Sequence, residues 1–346
     1  MLADQVDYVV GIDTHRDTHA AAVCNTAGGV VAETVVGADV FGYRRLLRFA
    51  AELPGRRVWA VEGTGSFGAG LTAFLLEREE WVVEVERPTR PARRDRSKTD
   101  ALDAARAARE ALAHKHLAQP RRRGIREAMR VLLASREGAV AAKRQAISQL
   151  KALIVNAPEP LRQQLRMLNT SDQLRRCARM RTRLSQSVEQ RSTVIALRST
   201  AQRAIALETE AATLEAELAQ LVRNAAPTLL EQPGVGVISA AQLLVAWSHQ
   251  GRFRSEAAFA SLAGTAPIPA SSGRTVRYRL NRGGDRQLNR ALHTIALSRL
   301  AHHAETKHYA ARRTAEGKTP REIKRCLKRH LARRLYHVLE AGVAMT

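Results

Sequence analysis

Apolar and polar positions alternate in three short runs near the start of the chain, Tyr8 to Ile12, Ala20 to Cys24 and Val30 to Val36, punctuated by Asn25 and Gly28-Gly29. A period of two with short turns predicts a three-stranded antiparallel meander. The spacing then becomes helical from Phe41 to Leu53, and Pro54-Gly55 ends that helix. An apolar run at Val58 to Val61 predicts a fourth strand, Phe67 to Arg78 a second helix, and Trp81 to Val85 a further strand. Lys98 to Ala105 reads as a helical segment with Thr99 as its cap.

Hairpin strands followed by strands alternating with helices is the order of a ribonuclease-H-like α/β domain, a mixed sheet with helices on its faces. A doubly wound nucleotide-binding domain is the competing fold. It fits less well, because Gly63-Thr64-Gly65 lacks the third glycine of a dinucleotide fingerprint and no Walker sequence is present.

From Pro120-Arg121-Arg122-Arg123-Gly124 the composition turns to Ala, Leu, Arg, Gln and Glu, with little strand character before about residue 225. Leu207, Ala211, Leu214, Leu218 and Leu221 step by four and three. That is the seam of a short coiled coil or helical hairpin, or equally one amphipathic helix on its own core. Beyond Pro227 breakers return at Pro233-Gly234-Val235-Gly236, Gly264 to Pro269 and Ser271-Ser272-Gly273, between helical runs. The last helix, Pro320 to Leu339, carries Ile323, Leu327, Leu331, Leu335 and Leu339 on one stripe. Three regions follow: an α/β domain over 1–118, a helical or coiled-coil region over 119–226, and a mainly helical domain over 227–346.

Charge narrows the partners. Lys and Arg number 56 against 33 Asp and Glu, a formal net charge of +23 spread along the chain, and such a surface attracts polyanions. Nucleic acid is the better match than membrane, since no apolar stretch approaches the ~18 residues of a spanning helix. With no signal-peptide pattern at the N-terminus, a cytoplasmic, nucleoid-associated protein is expected. Aromatic residues are only 4%, so backbone and shape contacts should outweigh base stacking in any nucleic-acid binding. Cys24, Cys177 and Cys326 show no paired spacing, and the histidines fall mostly singly, which speaks against zinc and against a histidine metal site.

Four acids stand out. Asp13 ends the apolar strand Val9-Val10-Gly11-Ile12, and Glu62 ends Val58-Trp59-Ala60-Val61. If those strands are neighbours, both carboxylates emerge at one point. Asp100 and Asp103, three apart in a helical segment, share a face with Cβ atoms about 5 to 6 Å apart. Hard oxygen donors of this kind suit Mg²⁺, with Mn²⁺ as the alternative, and two such ions roughly 4 Å apart can activate one oxygen and stabilise the other in phosphodiester chemistry.

These blocks resemble the insertion sequence 110 family of transposases, whose Asp-Glu-Asp-Asp domain is similar to RuvC resolvase. The resemblance spans most of the chain. It rests on Gly11-Ile12-Asp13-Thr14, Glu62-Gly63-Thr64-Gly65 and Lys98-Thr99-Asp100-Ala101-Leu102-Asp103-Ala104, and then on Pro233 to Gly236, Phe259 to Pro267 and Ser271-Ser272-Gly273. Glu62-Gly63 departs slightly from the Glu-Ala more usual there. The resemblance implies Asp13, Glu62, Asp100 and Asp103 as metal ligands and Ser272 as a catalytic serine, with Ser271 as the fallback. It also implies donor and target DNA as substrates, a structured noncoding bridge RNA as guide, and protomers meeting in a dimer or tetramer.

The residues around the serine agree with that implication. Pro267, Pro269 and Gly273 indicate a loop, and Arg274, Arg277, Arg279 and Arg282 after it can hold phosphates. Gly234 and Gly236 fit a helix-hairpin-helix turn offering backbone N–H groups to phosphate, or equally a plain turn between helices. The implied reaction is strand exchange through a phosphoserine with metal activation. A hydrolytic Mg²⁺-dependent nuclease of the Holliday-junction-resolvase type is the alternative enzyme, and a non-catalytic nucleic-acid packaging protein the alternative of another class.

Overall fold

The computed structural model describes residues 2–85, 99–114, 117–270, 278–279, 281 and 283–342. The chain forms two compact units, residues 1–123 and 124–346.

The first unit is built on β1 (Tyr8–Thr14), β2 (Thr18–Asn25), β3 (Val30–Gly37), α1 (Val40–Ala51), β4 (Arg57–Glu62), α2 (Ala69–Leu76), β5 (Val82–Val85) and α3 (Asp100–Ala113). The strands lie in the order β3-β2-β1-β4-β5. β2 pairs antiparallel with β1 and β3, while β4 runs parallel to β1 and β5 parallel to β4. That is the mixed, ribonuclease-H-like sheet the pattern predicts.

Period-two alternation sends consecutive residues into two cores. Val9, Ala22, Val58 and Ala60 face α3, and Val10, Ile12, Trp59 and Val61 face α1 and α2. The α3 side is filled by alanines, Ala104, Ala107, Ala108 and Ala111, all fully buried. Side chains this small let the helix lie close on the sheet. Gly11 marks the closest approach, since a Cβ there would sit 2.0 Å from the Ala104 carbonyl oxygen and 2.6 Å from the Ala108 nitrogen.

The second unit begins with α4 (Ile125–Val155), α5 (Glu159–Leu165), α6 (Thr170–Ala178) and α7 (Val188–Ala225). α4 and α7 form a long antiparallel hairpin. Arg136 meets Glu215 at 2.7 Å, Lys143 meets Glu208 at 2.6 Å, and Arg203 donates to Gln149 at 2.6 Å, so numbers rise along one helix as they fall along the other. Of the two alternatives for the Leu207 to Leu221 seam, the hairpin is realised: Ala211 and Leu218 are buried, and Leu207, Leu214 and Leu221 are half-buried.

The rest comprises α8 (Pro227–Leu230), α9 (Val237–Trp247), α10 (Glu256–Leu262), β6 (Ile268–Pro269), β7 (Tyr278–Arg279), α11 (Arg286–His302), α12 (Ala304–Ala315) and α13 (Pro320–Gly342). Its core gathers Trp247, Phe259, Leu292 and the α13 stripe Ile323, Leu327, Leu331, Leu335 and Leu339 with Leu218 and Val222 of α7. The helical middle and the C-terminal helices thus belong to one unit. No helix among the described residues is long and apolar enough to cross a membrane.

Burial gives the thiols different reactivities. Desolvation pushes the Cys24 thiol up and the Cys177 thiol up to about 11, whereas Cys326 is only half-buried. At pH 8 a small maleimide should modify one thiol per native chain within minutes and all three cysteines after denaturation. Rapid native labelling of Cys177 would show that the α4–α7 core is open.

Candidate functional site

The topology described above brings the backbone positions of two of the acids together. β1 and β4 are adjacent and parallel, and the register pairs Ile12 with Val61, so Asp13 and Glu62 are the next positions on neighbouring strand ends. The Thr14 hydroxyl donates to the Glu62 carbonyl oxygen at 3.0 Å and ties the two ends together. Gly63, at a φ of +68°, turns the chain away immediately after Glu62.

α3 brings the other pair. Its N-cap is Thr99, whose hydroxyl oxygen accepts from the Leu102 N–H at 3.4 Å, so Asp100 and Asp103 fall in the first turn, where the helix dipole favours carboxylates. The close seat of α3 over Gly11 sets that turn beside the end of β1.

His15 joins them. Its Nε2 lies 3.1 Å from Asp13 Oδ2 and 3.3 Å from Asp100 Oδ1, and the donor atoms of Asp13, His15 and Asp100 all lie within 4.8 Å of one another. Glu62 and Asp103 stand outside this trio. Asp103 Oδ1 accepts from Arg106 Nη1 at 2.6 Å, one turn along α3. His15 thus sits with two of the four acids expected to hold metal, a neighbourhood that the single spacing of the histidines did not predict. Asp13 and His15 are two apart where β1 ends, and positions two apart on an extended segment share a side.

Electrostatics agree with the convergence. Burial pushes the Asp13 carboxyl above the ordinary carboxylate range; His15 opposes that, and the negative charges of Asp103 and Asp100 add to it. Asp13 is 8% exposed, so water can screen little of this charge. A divalent cation fits a place where carboxylates crowd against each other in a partly dry corner. Oxygen donors suit Mg²⁺, and the imidazole nitrogen makes Mn²⁺ equally acceptable.

Comparison with known proteins decides the lineage. A DEDD transposase model of the IS110 type matches residues 10–157, which include all four acids, and a model described as transposase IS116/IS110/IS902 family matches residues 226–311. The chain belongs to this transposase family. Among relatives, the chain is 36% identical over 132 residues to an uncharacterized 43.6 kDa protein of insertion element IS110 from Streptomyces coelicolor. That stretch takes in 37% of this chain and 33% of the relative, so the match spans about a third of that protein's length. An uncharacterized 42 kDa protein of insertion element IS900 from Mycobacterium paratuberculosis is 28% identical over 382 positions, covering 96% of this chain and 94% of the relative.

In the second unit, the Pro233 to Gly236 turn joins α8 to α9. Gly234, at a φ of +78°, packs against α11, where a Cβ would meet Arg299 Cγ at 2.9 Å and the Ile295 carbonyl oxygen at 3.1 Å. Gly236 is the N-cap of α9, with open space around it. Arg279 is exposed on β7, which pairs with β6. Ser271, Ser272, Gly273, Arg274, Arg277 and Arg282 lie outside the described residues.

Proposed function

We propose that this transposase cuts and rejoins DNA strands at the ends of an insertion element, with Asp13, Glu62, Asp100 and Asp103 as its divalent-ion site and Ser272 as its nucleophile. The observation that carries the reading is the convergence of Asp13, near the end of β1, and Asp100, at the start of α3, on His15, with their donor atoms within 4.8 Å of one another. A bound divalent ion there would polarise a phosphoryl oxygen and offset developing charge. Asp13 and Asp100 would hold it directly, Glu62 from the neighbouring strand end, and Asp103 after exchanging its contact with Arg106. His15 would complete or orient the set.

The covalent step balances simply. The Ser272 hydroxyl attacks phosphorus, a bond from Oγ to phosphorus forms, and the bond to a deoxyribose oxygen breaks; the departing hydroxyl gains a proton equivalent to the one serine gives up. A hydroxyl on the strand to be joined then attacks the phosphoserine and frees Ser272. Storing the bond on the protein is what permits rejoining rather than hydrolysis. The net charge of +23 supports the DNA-binding part, and the family resemblance supports guidance by a structured noncoding RNA and action as an oligomer.

The test is a DNA substrate carrying the element's end, incubated with the protein, any copurified RNA and Mg²⁺ or Mn²⁺. A covalent protein–DNA adduct should form, and mass spectrometry should place the phosphate on Ser272. Ser272→Ala should lose adduct and joining by at least about 10³-fold, as expected when a nucleophile acting in concert with its activating groups is removed, and Ser271→Ala should keep both. Cleavage that survives Ser272→Ala but not Asp13→Asn would instead establish the hydrolytic nuclease. Sequencing the bound RNA tests guidance separately: a structured transcript of the element's own flank supports it, and random cellular RNA counts against it.

A further inference from the structure

The second unit contains a cavity of 660 Å³ between α13 and the segment from Gly264 to Pro267, with Tyr278 and Arg279 of β7 on its border. A second cavity of 570 Å³ lies toward the start of α11. Lys328 and Asn281 line both.

Lys328 is an anomaly on its helix. It is 8% exposed, yet its ammonium has a neutral partner, donating to Asn289 Oδ1 at 2.8 Å. The Asn289 amide is oriented by its own donation to the Ala263 carbonyl at 2.6 Å, which leaves the oxygen for the lysine. Burial lowers the ammonium's proton affinity, and Arg325 lowers it further; burial also depresses His293, with Lys328 and then Lys324 adding to it. A buried cation without an anion costs stability, and proteins rarely keep one.

The neighbouring acids are already committed. Glu256 holds Arg329 at 2.6 and 2.9 Å, Glu137 holds Arg290 at 2.8 Å, and the Glu322 carboxylate accepts from the Thr319 N–H and hydroxyl at 2.8 Å each. Among the described residues, no carboxylate lies within 4.0 Å of the side-chain nitrogens of Lys318, Arg325, Lys328 or Arg279, all of which line the larger cavity. Glu322 is the one carboxylate among the described residues lining that cavity; the Thr319 hydrogen bonds, and then the charges of Lys318 and Arg325, hold it below the usual carboxylate range, so four cations face a single acid.

We propose that this cleft binds the phosphodiester backbone of DNA, with Lys328 as its buried anchor and Lys318, Arg325 and Arg279 at its mouth. Phosphate supplies the missing charge and accepts from several donors at once. DNA is favoured over RNA because Pro267 and Tyr278, which line the cleft, stand five positions before and six positions after Ser272 in the chain, and the strand-exchange reading makes DNA the substrate of that serine. In that respect the inference rests on the strand-exchange reading.

The experiment measures full-length protein binding to duplex DNA, to its copurified or a structured RNA, and to inorganic phosphate, over a range of salt. Lys328→Met should weaken duplex DNA binding about tenfold at moderate salt and lower the slope of log affinity against log salt by about one. Because an unpaired charge has been removed, its Tm should be no lower than wild type. RNA binding and the Tm increase caused by Mn²⁺ should not change. Arg325→Gln and Lys318→Gln, at less buried positions, should each reduce the slope as well.

An unchanged slope in all three variants overturns the proposal, as does a loss confined to RNA, or inorganic phosphate that binds at Lys328 without displacing DNA. A lower Tm of Lys328→Met with an unaltered slope marks a structural lysine and also overturns it. The assay requires no cleavage, so a protein that fails to form phosphoserine yet shows the altered slope would refute the strand-exchange reading and leave this site standing.

Discussion

Asp13→Asn is expected to lower divalent-ion-dependent DNA strand cleavage by about 10³-fold or more, corresponding to ~4 kcal/mol of lost transition-state stabilisation. The amide keeps the shape of the carboxylate and can still accept from His15, which now sits 3.1 Å away, but it binds a cation poorly. Stability should move the other way. The folded chain holds the Asp13 proton more tightly than the unfolded chain does, so this group's contribution to stability falls as pH rises from the ordinary carboxylate pKa through the raised folded value. At neutral pH the ionised carboxylate is a cost that asparagine removes.

Without divalent ions, therefore, the variant should melt at or above the wild-type temperature. With them the order should reverse. A ligand at a hundred times its Kd stabilises by about 2.7 kcal/mol, and this gain should be seen in wild type and be absent from the variant. Thermal melts with and without Mn²⁺, beside a cleavage assay, measure both effects. A variant that cleaves within about tenfold of wild type and keeps the metal-induced rise would remove Asp13 from the site.

Gly11→Ala is the second large effect, and it acts through the helix. The added Cβ would lie 2.0 Å from the Ala104 carbonyl oxygen and 2.6 Å from the Ala108 nitrogen, both backbone atoms that no rotamer change can move. α3 must be displaced as a body. Overpacking of a tight core costs about 1–3 kcal/mol and more where backbone has to shift, so a loss of at least about 3 kcal/mol is expected. α3 also carries Asp100 and Asp103, and displacing a reacting group by about 1 Å can cost on the order of 10²-fold in rate.

Denaturant melts followed on the first unit and cleavage rates at a temperature where the variant remains folded separate the two losses. Gly236→Ala is the control, because no atom lies within 4 Å of the Cβ it would add. Its stability should stay within about 1 kcal/mol of wild type. Equal damage from both substitutions would mean that the Gly11 contact with α3 is not what holds the acids.

Much of the first unit is visible in the chain itself. Strands such as Val9 to Ile12 and Val58 to Val61 are short apolar runs bounded by turn residues, and the observed elements begin and end within a few positions of them. The helix cap is equally local: Thr99 ahead of Asp100 and Asp103 contains the whole instruction for where α3 starts. The α13 stripe from Ile323 to Leu339 is a helical period that needs no partner to be recognised. Each depends on neighbours only a few residues apart, which is the range over which backbone geometry and side-chain periodicity act.

Other features arise only when distant segments meet. His15 looked like a lone histidine until α3 placed Asp100 3.3 Å from it, and that placement depends on Gly11 and a row of alanines nearly a hundred positions away. In the sequence Lys328 is one cation among several in a basic helix, and only the packing of α11 and α13 buries it against Asn289. Periodicity assigns a residue to a face of its own helix or strand, which local sterics decide. What that face is pressed against, and whether a charge there finds water, a partner or neither, is settled by long-range packing that no window of the chain encodes.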